Sequence, residues 1–180
     1  MSLKELTIEN HRNAERQEFV KYLMSGKIDP ELYATYLWNQ FPQYELLEVM
    51  SHRLGLFDDF HTLKRAPLIR DDALELWPHK DRQPPQCPVV KEYLDHIMSI
   101  KDDPEKLMAH IYTRHMGDLS GGQMIAKRVP GKGRMYQFKD DVDTMKNKIR
   151  EKINDEMADE VRICFDFATQ LFKEMMEHVK

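Results

Sequence analysis

The chain has 180 residues and a formal net charge of −4, which gives no general reason to expect nucleic-acid binding. Hydrophobic residues make up 41% of it and charged residues 32%, with only 7 glycines, and this composition excludes a disordered or fibrous protein. The length predicts one domain, residues 1–180, with a core large enough to fold without disulfides. Its two cysteines, Cys87 and Cys164, favour a reducing compartment, and no segment is apolar enough to span a membrane, so we expect a cytoplasmic protein with no membrane partner.

Apolar residues recur at helical spacing along the whole chain, which predicts an all-α fold. A first helix is expected from about Leu3 to Ser25, ending at Gly26, the residue type that favours a left-handed helix cap. Asp29-Pro30 then provides an N-cap and a first-turn proline for a second helix. This helix is predicted to run toward Gly55 and to bend at Pro42.

Prolines divide the segment 56–88 into short helices and a surface loop around 80–85. Three further features are predicted beyond it: a helix from Pro88 to about Ile100, another from Asp103 into Lys127, and a turn at 130–133. One or two helices from Asp140 onward complete the expected helical bundle.

Positive charge is concentrated in residues 127–152, where nine Lys/Arg stand against four Asp/Glu. A basic surface on an acidic protein indicates an anionic ligand or partner at this place. The charge pattern alone is equally consistent with an ordinary solvated helix surface.

The most unusual segment is 112–123, Tyr-Thr-Arg-His-Met-Gly-Asp-Leu-Ser-Gly-Gly-Gln, because three of the seven glycines interrupt a helical pattern there. Each glycine costs a helix about 1 kcal/mol relative to alanine. Gly117 and Gly121 are four residues apart and share one helix face, where the missing side chains would let a large flat ligand approach the backbone. A helix break or a tight helix contact is the alternative interpretation.

Within this segment, Leu-Ser-Gly-Gly-Gln is similar to the signature of ABC-transporter ATPases. Such an ATPase also needs a glycine-rich P-loop behind a β-strand, and the chain has neither that motif nor an α/β pattern. The ATPase interpretation is therefore excluded.

The fuller string Tyr-x-Arg-x-x-Gly-Asp-Leu-Ser-Gly-Gly-Gln resembles the distal helix of heme oxygenases, and His11-x-x-Ala14-Glu15 resembles their proximal helix. An isolated helical histidine is more often structural than a metal ligand. Two motifs in the expected order nevertheless imply that His11 is the axial ligand of heme iron. The resemblance covers residues from Lys4 to about Asn154, after which the chain is several residues shorter than the family pattern.

The resemblance also implies roles for the other site residues. Glu15 would orient the imidazole of His11, although an exposed helix-surface glutamate is the alternative. Asp118, with Arg114 and Tyr44, would organise a water network that delivers a proton, the alternative being a surface ion pair between Arg114 and Asp118. The expected heme-contacting residues on both sides of the ring and at its carboxylates are Lys4, Tyr112, Gly117, Gly121, Gly122, Lys146 and Arg150.

The activity implied by the resemblance is the oxidative cleavage of heme b, both substrate and cofactor, to biliverdin (by family expectation the IXα isomer), Fe²⁺ and carbon monoxide with O₂. The chain has no flavin or nicotinamide fingerprint, so electrons must come from outside, and reduced ferredoxin docking on the basic 127–152 surface is the expected donor. A downstream bilin reductase is a further expected partner. The alternative function is a non-catalytic heme carrier or sensor with the same fold.

A non-heme di-iron bundle is a third class of protein to consider. It would require two Glu-x-x-His pairs. The pairs Glu48/His52 and Glu92/His96 are spaced by four residues, so this class is excluded.

Overall fold

A computed structural model describes all 180 residues, and it confirms the all-α fold, with no β-strand. Ten α-helices follow one another: α1 (Leu3–Leu6), α2 (Ile8–Glu15), α3 (Glu18–Met24), α4 (Pro30–Arg53), α5 (Ala66–Leu76), α6 (Pro88–Ser99), α7 (Pro104–Leu119), α8 (Gly122–Ala126), α9 (Val142–Arg150) and α10 (Ala158–Met175). Four short 3₁₀ turns lie between or after them, at His61–Leu63, Arg134–Tyr136, Asp155–Met157 and Met176–His178.

The prediction of a single first helix is wrong, because the structure divides this segment into α1, α2 and α3. The first break is at Thr7, whose hydroxyl donates to the carbonyl of Leu3 at 2.9 Å and so competes with the helical backbone. The second is at Gln17, which adopts an extended conformation with ψ 144°. The predicted end is correct, since Gly26 follows α3 with φ +74°. Helix α2 is thus a separate short element that packs on α10.

Helix α4 is the longest helix and follows the predicted start. The carboxylate of Asp29 accepts a hydrogen bond from the Leu32 amide at 3.1 Å, and Pro30 occupies the first turn. The helix continues through Pro42 without interruption. Next to that proline, the buried side-chain amides of Asn39 and Gln43 donate to carbonyls one turn earlier, each at 2.8 Å.

The glycine-rich segment ends one helix and begins another, so the predicted continuous helix into Lys127 is also wrong. Helix α7 stops at Leu119, Ser120 leaves helical geometry with φ −113° and ψ −95°, and α8 starts at Gly122. Gly122 allows a close approach there, because a Cβ atom on it would lie 2.7 Å from the ring of Tyr136.

The C-terminal half contains a predicted turn and a long helix, α10, that packs against several earlier helices. The predicted turn at 130–133 is present, with Gly131 at φ +86° and Gly133 at φ +62°. Helix α10 packs against α2, α3, α6 and α7, and one of the two apolar core clusters includes residues from α7, α9 and α10. None of the helices combines the length and the apolar composition that crossing a bilayer requires.

Buried polar contacts connect α4 to its neighbours. The carboxylate of Glu48 accepts hydrogen bonds from the backbone amides of Arg65 at 2.6 Å and Ala66 at 3.0 Å, where α5 begins. It also pairs with Nε2 of the fully buried His115 on α7 at 2.8 Å. One carboxylate therefore sets the positions of α5 and α7 relative to α4.

Candidate functional site

A cavity of about 380 Å³ lies between the N-terminal helices, α7, α9 and α10. Seven of the twelve residues that the sequence predicts for the site line it: Lys4, His11, Glu15, Tyr112, Gly117, Gly121 and Arg150. The fold thus brings the two sequence motifs, about a hundred residues apart, to one cavity.

His11 forms one wall of this cavity. Its Nε2 atom pairs with the Glu15 carboxylate at 2.8 Å, and its ring stacks on Phe165 of α10 at a centroid distance of 5.0 Å. A ring nitrogen held by a carboxylate is a donor, so the other nitrogen carries the lone pair that binding a metal requires. The sequence gives no signal for Phe165, because it comes from the region where the family resemblance ends.

The glycines of the segment 112–123 fall into two classes. A Cβ atom added to Gly117 or Gly121 would meet no atom within 4 Å, so the backbone there faces open space in the cavity. Gly122, the third glycine predicted to contact a ligand, does not line the cavity but packs against Tyr136.

Two cationic side chains, Lys4 and Arg150, stand among the residues that line the cavity. Arg150 is exposed and donates to the side chain of Asn147 at 3.1 Å. Lys146 lies one turn earlier on α9, is partly exposed and does not line the cavity. Positive charge at this cavity favours an anionic ligand.

Tyr44 and Asp118 do not line the cavity but form a buried pair between α4 and α7. The hydroxyl of Tyr44 reaches both carboxylate oxygens of Asp118, at 2.9 and 3.1 Å. Burial raises the pKa of Asp118 to about 6, against the opposing effects of His115, Tyr44 and nearby arginines. A carboxyl group with this pKa exchanges its proton close to neutral pH.

Arg114 is buried beside this pair. Its guanidinium donates to Gln43 at 2.7 Å, to Gln40 at 3.2 Å and to the hydroxyl of Tyr93 at 3.0 Å. Arg114 and Asp118 are at most 8% exposed, so the two residues do not form a surface ion pair. The sequence analysis missed Gln40, Gln43 and Tyr93, although two glutamines in an otherwise apolar helix segment are a signal of a buried polar network.

A larger cavity of about 710 Å³ lies where the start of α4 meets the C-terminal residues. It contains none of the residues that the sequence predicts for the site. Its lining combines the acidic Asp29 and Glu31 with Arg82 and Trp77. The smaller cavity is therefore the candidate site.

Comparison with known proteins agrees with this geometry. Residues 1–177 match the family described as "Heme oxygenase". The chain belongs to the heme oxygenase family. This result confirms the resemblance on which the site residues were predicted.

Individual heme oxygenases are similar over nearly the whole chain. Heme oxygenase 2 of Mus musculus is 29% identical over 201 residues, which cover 96% of this chain, and the chain spans 64% of the length of the mouse protein. The crystal structure of heme oxygenase-1 from the cyanobacterium Synechocystis, in complex with heme, superposes with a TM-score of 0.84 at 25% identity and covers 98% of this chain and 91% of that one. The heme oxygenase of Leptospira interrogans has a TM-score of 0.80 at 29% identity, over 97% of this chain and 100% of that one.

Replacement by alanine is expected to destabilise the fold at Gly122 but not at Gly121. Gly122→Ala pushes a methyl group into the ring of Tyr136 and is expected to lower the free energy of unfolding by about 1–3 kcal/mol. Gly121→Ala, at helical φ −60° with open space around it, is expected to cost nothing. Urea unfolding followed by circular dichroism measures both, and equal stability of the two variants would contradict the packing assignment.

The raised pKa of Asp118 predicts a specific pH dependence of the free energy of unfolding. Its pKa is about 6 in the folded chain and about 3.9 in an unfolded one, so the folded state binds the proton more tightly. Its contribution to stability is present below about pH 4 and is lost as the pH rises through about 6. Relative to Asp118→Asn, the free energy of unfolding of the unmodified chain should therefore fall by about 3 kcal/mol over this window. A parallel pH dependence for the two proteins would refute the raised pKa.

Proposed function

We propose that this chain cleaves heme oxidatively to biliverdin, Fe²⁺ and carbon monoxide, using O₂ and electrons from an external donor. The observation that carries the proposal is a single cavity lined both by a carboxylate-held histidine and by open glycine backbone. A buried proton-exchanging pair, Tyr44 and Asp118, adjoins the glycine wall. The similarity to a heme oxygenase solved in complex with heme supports the same ligand here.

The cavity fits heme as a substrate. Its volume lies in the range typical of small-molecule sites. His11 would bind the iron through one ring nitrogen while Glu15 holds the other and orients the ring. Stacking on Phe165 further restricts the rotation of the imidazole. Bound in this way, heme supplies the iron at which oxygen is reduced.

Charge at the cavity would set the orientation of the substrate. The two heme carboxylates would pair with Lys4 and Arg150, and the arginine can form a bidentate contact. Lys146, one turn from Arg150, would add positive charge nearby. Fixing the carboxylate edge fixes which meso carbon faces Gly117 and Gly121, and we propose the α carbon, which yields biliverdin IXα.

The glycine wall and the buried network would then direct the reaction. Open backbone at Gly117 and Gly121 lets the ring approach α7, so Gly121→Ala should slow turnover without loss of fold stability. Asp118, held by Tyr44, can hold or release a proton near neutral pH and orient water toward the reacting oxygen. The guanidinium of Arg114 lies 5.3 Å from the centre of the Tyr44 ring and helps to hold Tyr44 in place beside Asp118.

Replacing Asp118 provides the decisive test. Purified protein with one equivalent of hemin is mixed with ferredoxin, ferredoxin reductase and NADPH under air, and the visible spectrum is followed. The Soret band should disappear as biliverdin absorption grows, and Asp118→Ala should slow this at least about 100-fold because it removes the proton-delivering carboxylate.

Asp71→Ala, at an exposed aspartate, is the matched control and should react at the normal rate. A Soret band that persists in the unmodified protein through reduction and oxygenation would contradict the proposed heme-cleaving activity and favour a heme carrier or sensor.

We further propose that reduced ferredoxin supplies the electrons and docks on the basic 127–152 surface. Some of its cations already have partners: Arg134 pairs with Asp72 and Glu75, and Lys152 pairs with Asp59. Exposed lysines without ion pairs remain for an acidic protein, namely Lys127, Lys132 and Lys139. Complementary charge would speed the encounter.

The triple variant Lys127→Ala, Lys132→Ala and Lys139→Ala should slow ferredoxin-driven turnover at low salt, and the difference should shrink as salt increases. Heme affinity, measured by titration of the Soret band, should not change. Turnover driven by a small chemical reductant is the control and should also be unaffected. An unchanged ferredoxin-driven rate would refute this docking surface.

The cellular setting follows from the same proposal. Both cysteines are free and buried, which fits a reducing compartment, and we propose the cytoplasm. A bilin reductase is the class of enzyme that would consume the biliverdin.

A further inference from the structure

A second cluster of histidine and carboxylate side chains lies away from the heme cavity. It consists of His96 on α6, His110 on α7 and Glu160 on α10, and none of the three lines the cavity. One potential ligand atom from each residue lies within 4.8 Å of the other two. Three different helices therefore converge on one point.

The donor atoms have the arrangement of a metal site. Nε2 of His110 and Nε2 of His96 both reach the same oxygen of Glu160, at 2.8 and 2.5 Å. Two imidazole nitrogens and one carboxylate oxygen form a donor set that binds Zn²⁺ in proteins, with a fourth position left for water. The other buried histidine–carboxylate pair, His115 with Glu48, has only one histidine and does not complete such a set.

Neighbouring groups already orient the ligands. The Nδ1 atom of His110 is hydrogen-bonded to the hydroxyl of Tyr93 at 2.7 Å, and this hydroxyl accepts from Arg114 at 3.0 Å. A hydrogen bond on the second nitrogen is the usual support of a metal-binding histidine. The side chain of His110 is fully buried and that of Glu160 is 9% exposed, whereas His96 is 21% exposed and provides the entry path.

We propose that His96, His110 and Glu160 bind one divalent first-row transition-metal ion, with Zn²⁺ as the best-fitting ion. The ion would take the place of the Nε2 protons that the two histidines now donate to Glu160. Each histidine would stay neutral by carrying its proton on Nδ1 instead, so no net release of protons is required, and in His110 this proton would be donated to Tyr93. Because the ligands come from α6, α7 and α10, binding would cross-link these helices and stabilise the fold.

The test measures zinc binding directly on the full-length, heme-free protein after chelator treatment. Calorimetric titration with Zn²⁺ should show one site, and Co²⁺ should give the visible absorption of a four-coordinate site. His96→Gln should weaken binding more than about 100-fold, since it removes a ligand and not merely an outer partner. Added Zn²⁺ should raise the melting temperature of the unmodified protein but not of His96→Gln.

Two control variants separate this site from other histidines. His52→Gln removes an exposed histidine, and His11→Gln alters the heme cavity, so both should bind Zn²⁺ as the unmodified protein does. Because His96 is partly exposed, the variant His96→Gln should fold. The test therefore remains decisive even if the variant Glu160→Gln, at a more buried residue, fails to fold. Absence of zinc binding, or equal binding by His96→Gln, would show that the cluster is only a hydrogen-bonded contact. Neither result depends on heme turnover.

Discussion

The polar contact between α4 and α7 is the constraint on which the site depends. Along α4, side chains at Gln40, Gln43, Tyr44 and Glu48 face buried groups of α7. Arg114, His115 and Asp118 of α7 find partners there, and a buried ionic group without a partner would cost several kcal/mol. The two helices can therefore pack in only one register, which fixes the wall of the cavity that α7 provides.

Because the helix is fixed in this way, one face of α7 contacts α4 and another face lines the cavity. Arg114, His115 and Asp118 point into the network with α4, while Thr113, Met116 and Gly117 line the cavity. Asp118 follows Gly117 directly in the chain, so its carboxylate is placed next to the open backbone without lining the cavity. Burial that raises the pKa of Asp118 to about 6 is thus a consequence of the same packing that orients the helix.

The same helix extends this network toward α6 and α10. Arg114 contacts Tyr93, Tyr93 contacts His110, and His110 contacts Glu160. A metal ion bound at His110 would reverse the direction of the hydrogen bond to Tyr93. Hydrogen bonds therefore join the proposed metal site to Arg114, which packs against Tyr44, although the metal site and the proposed heme site share no ligand.

Local signals in the sequence determined the helical class, the cap at Asp29, the helix start at Asp103, the end at Gly26 and the two motifs that contain His11 and Gly117. These features depend on residues three or four positions apart, so their physical cause is present in the sequence itself. Only the tertiary structure decided the packing of Gly122 on Tyr136, the stacking of Phe165 on His11 and the partners of Arg114. Each of these arises from contacts between residues far apart in the chain, where burial and long-range hydrogen bonds outweigh local helix preference.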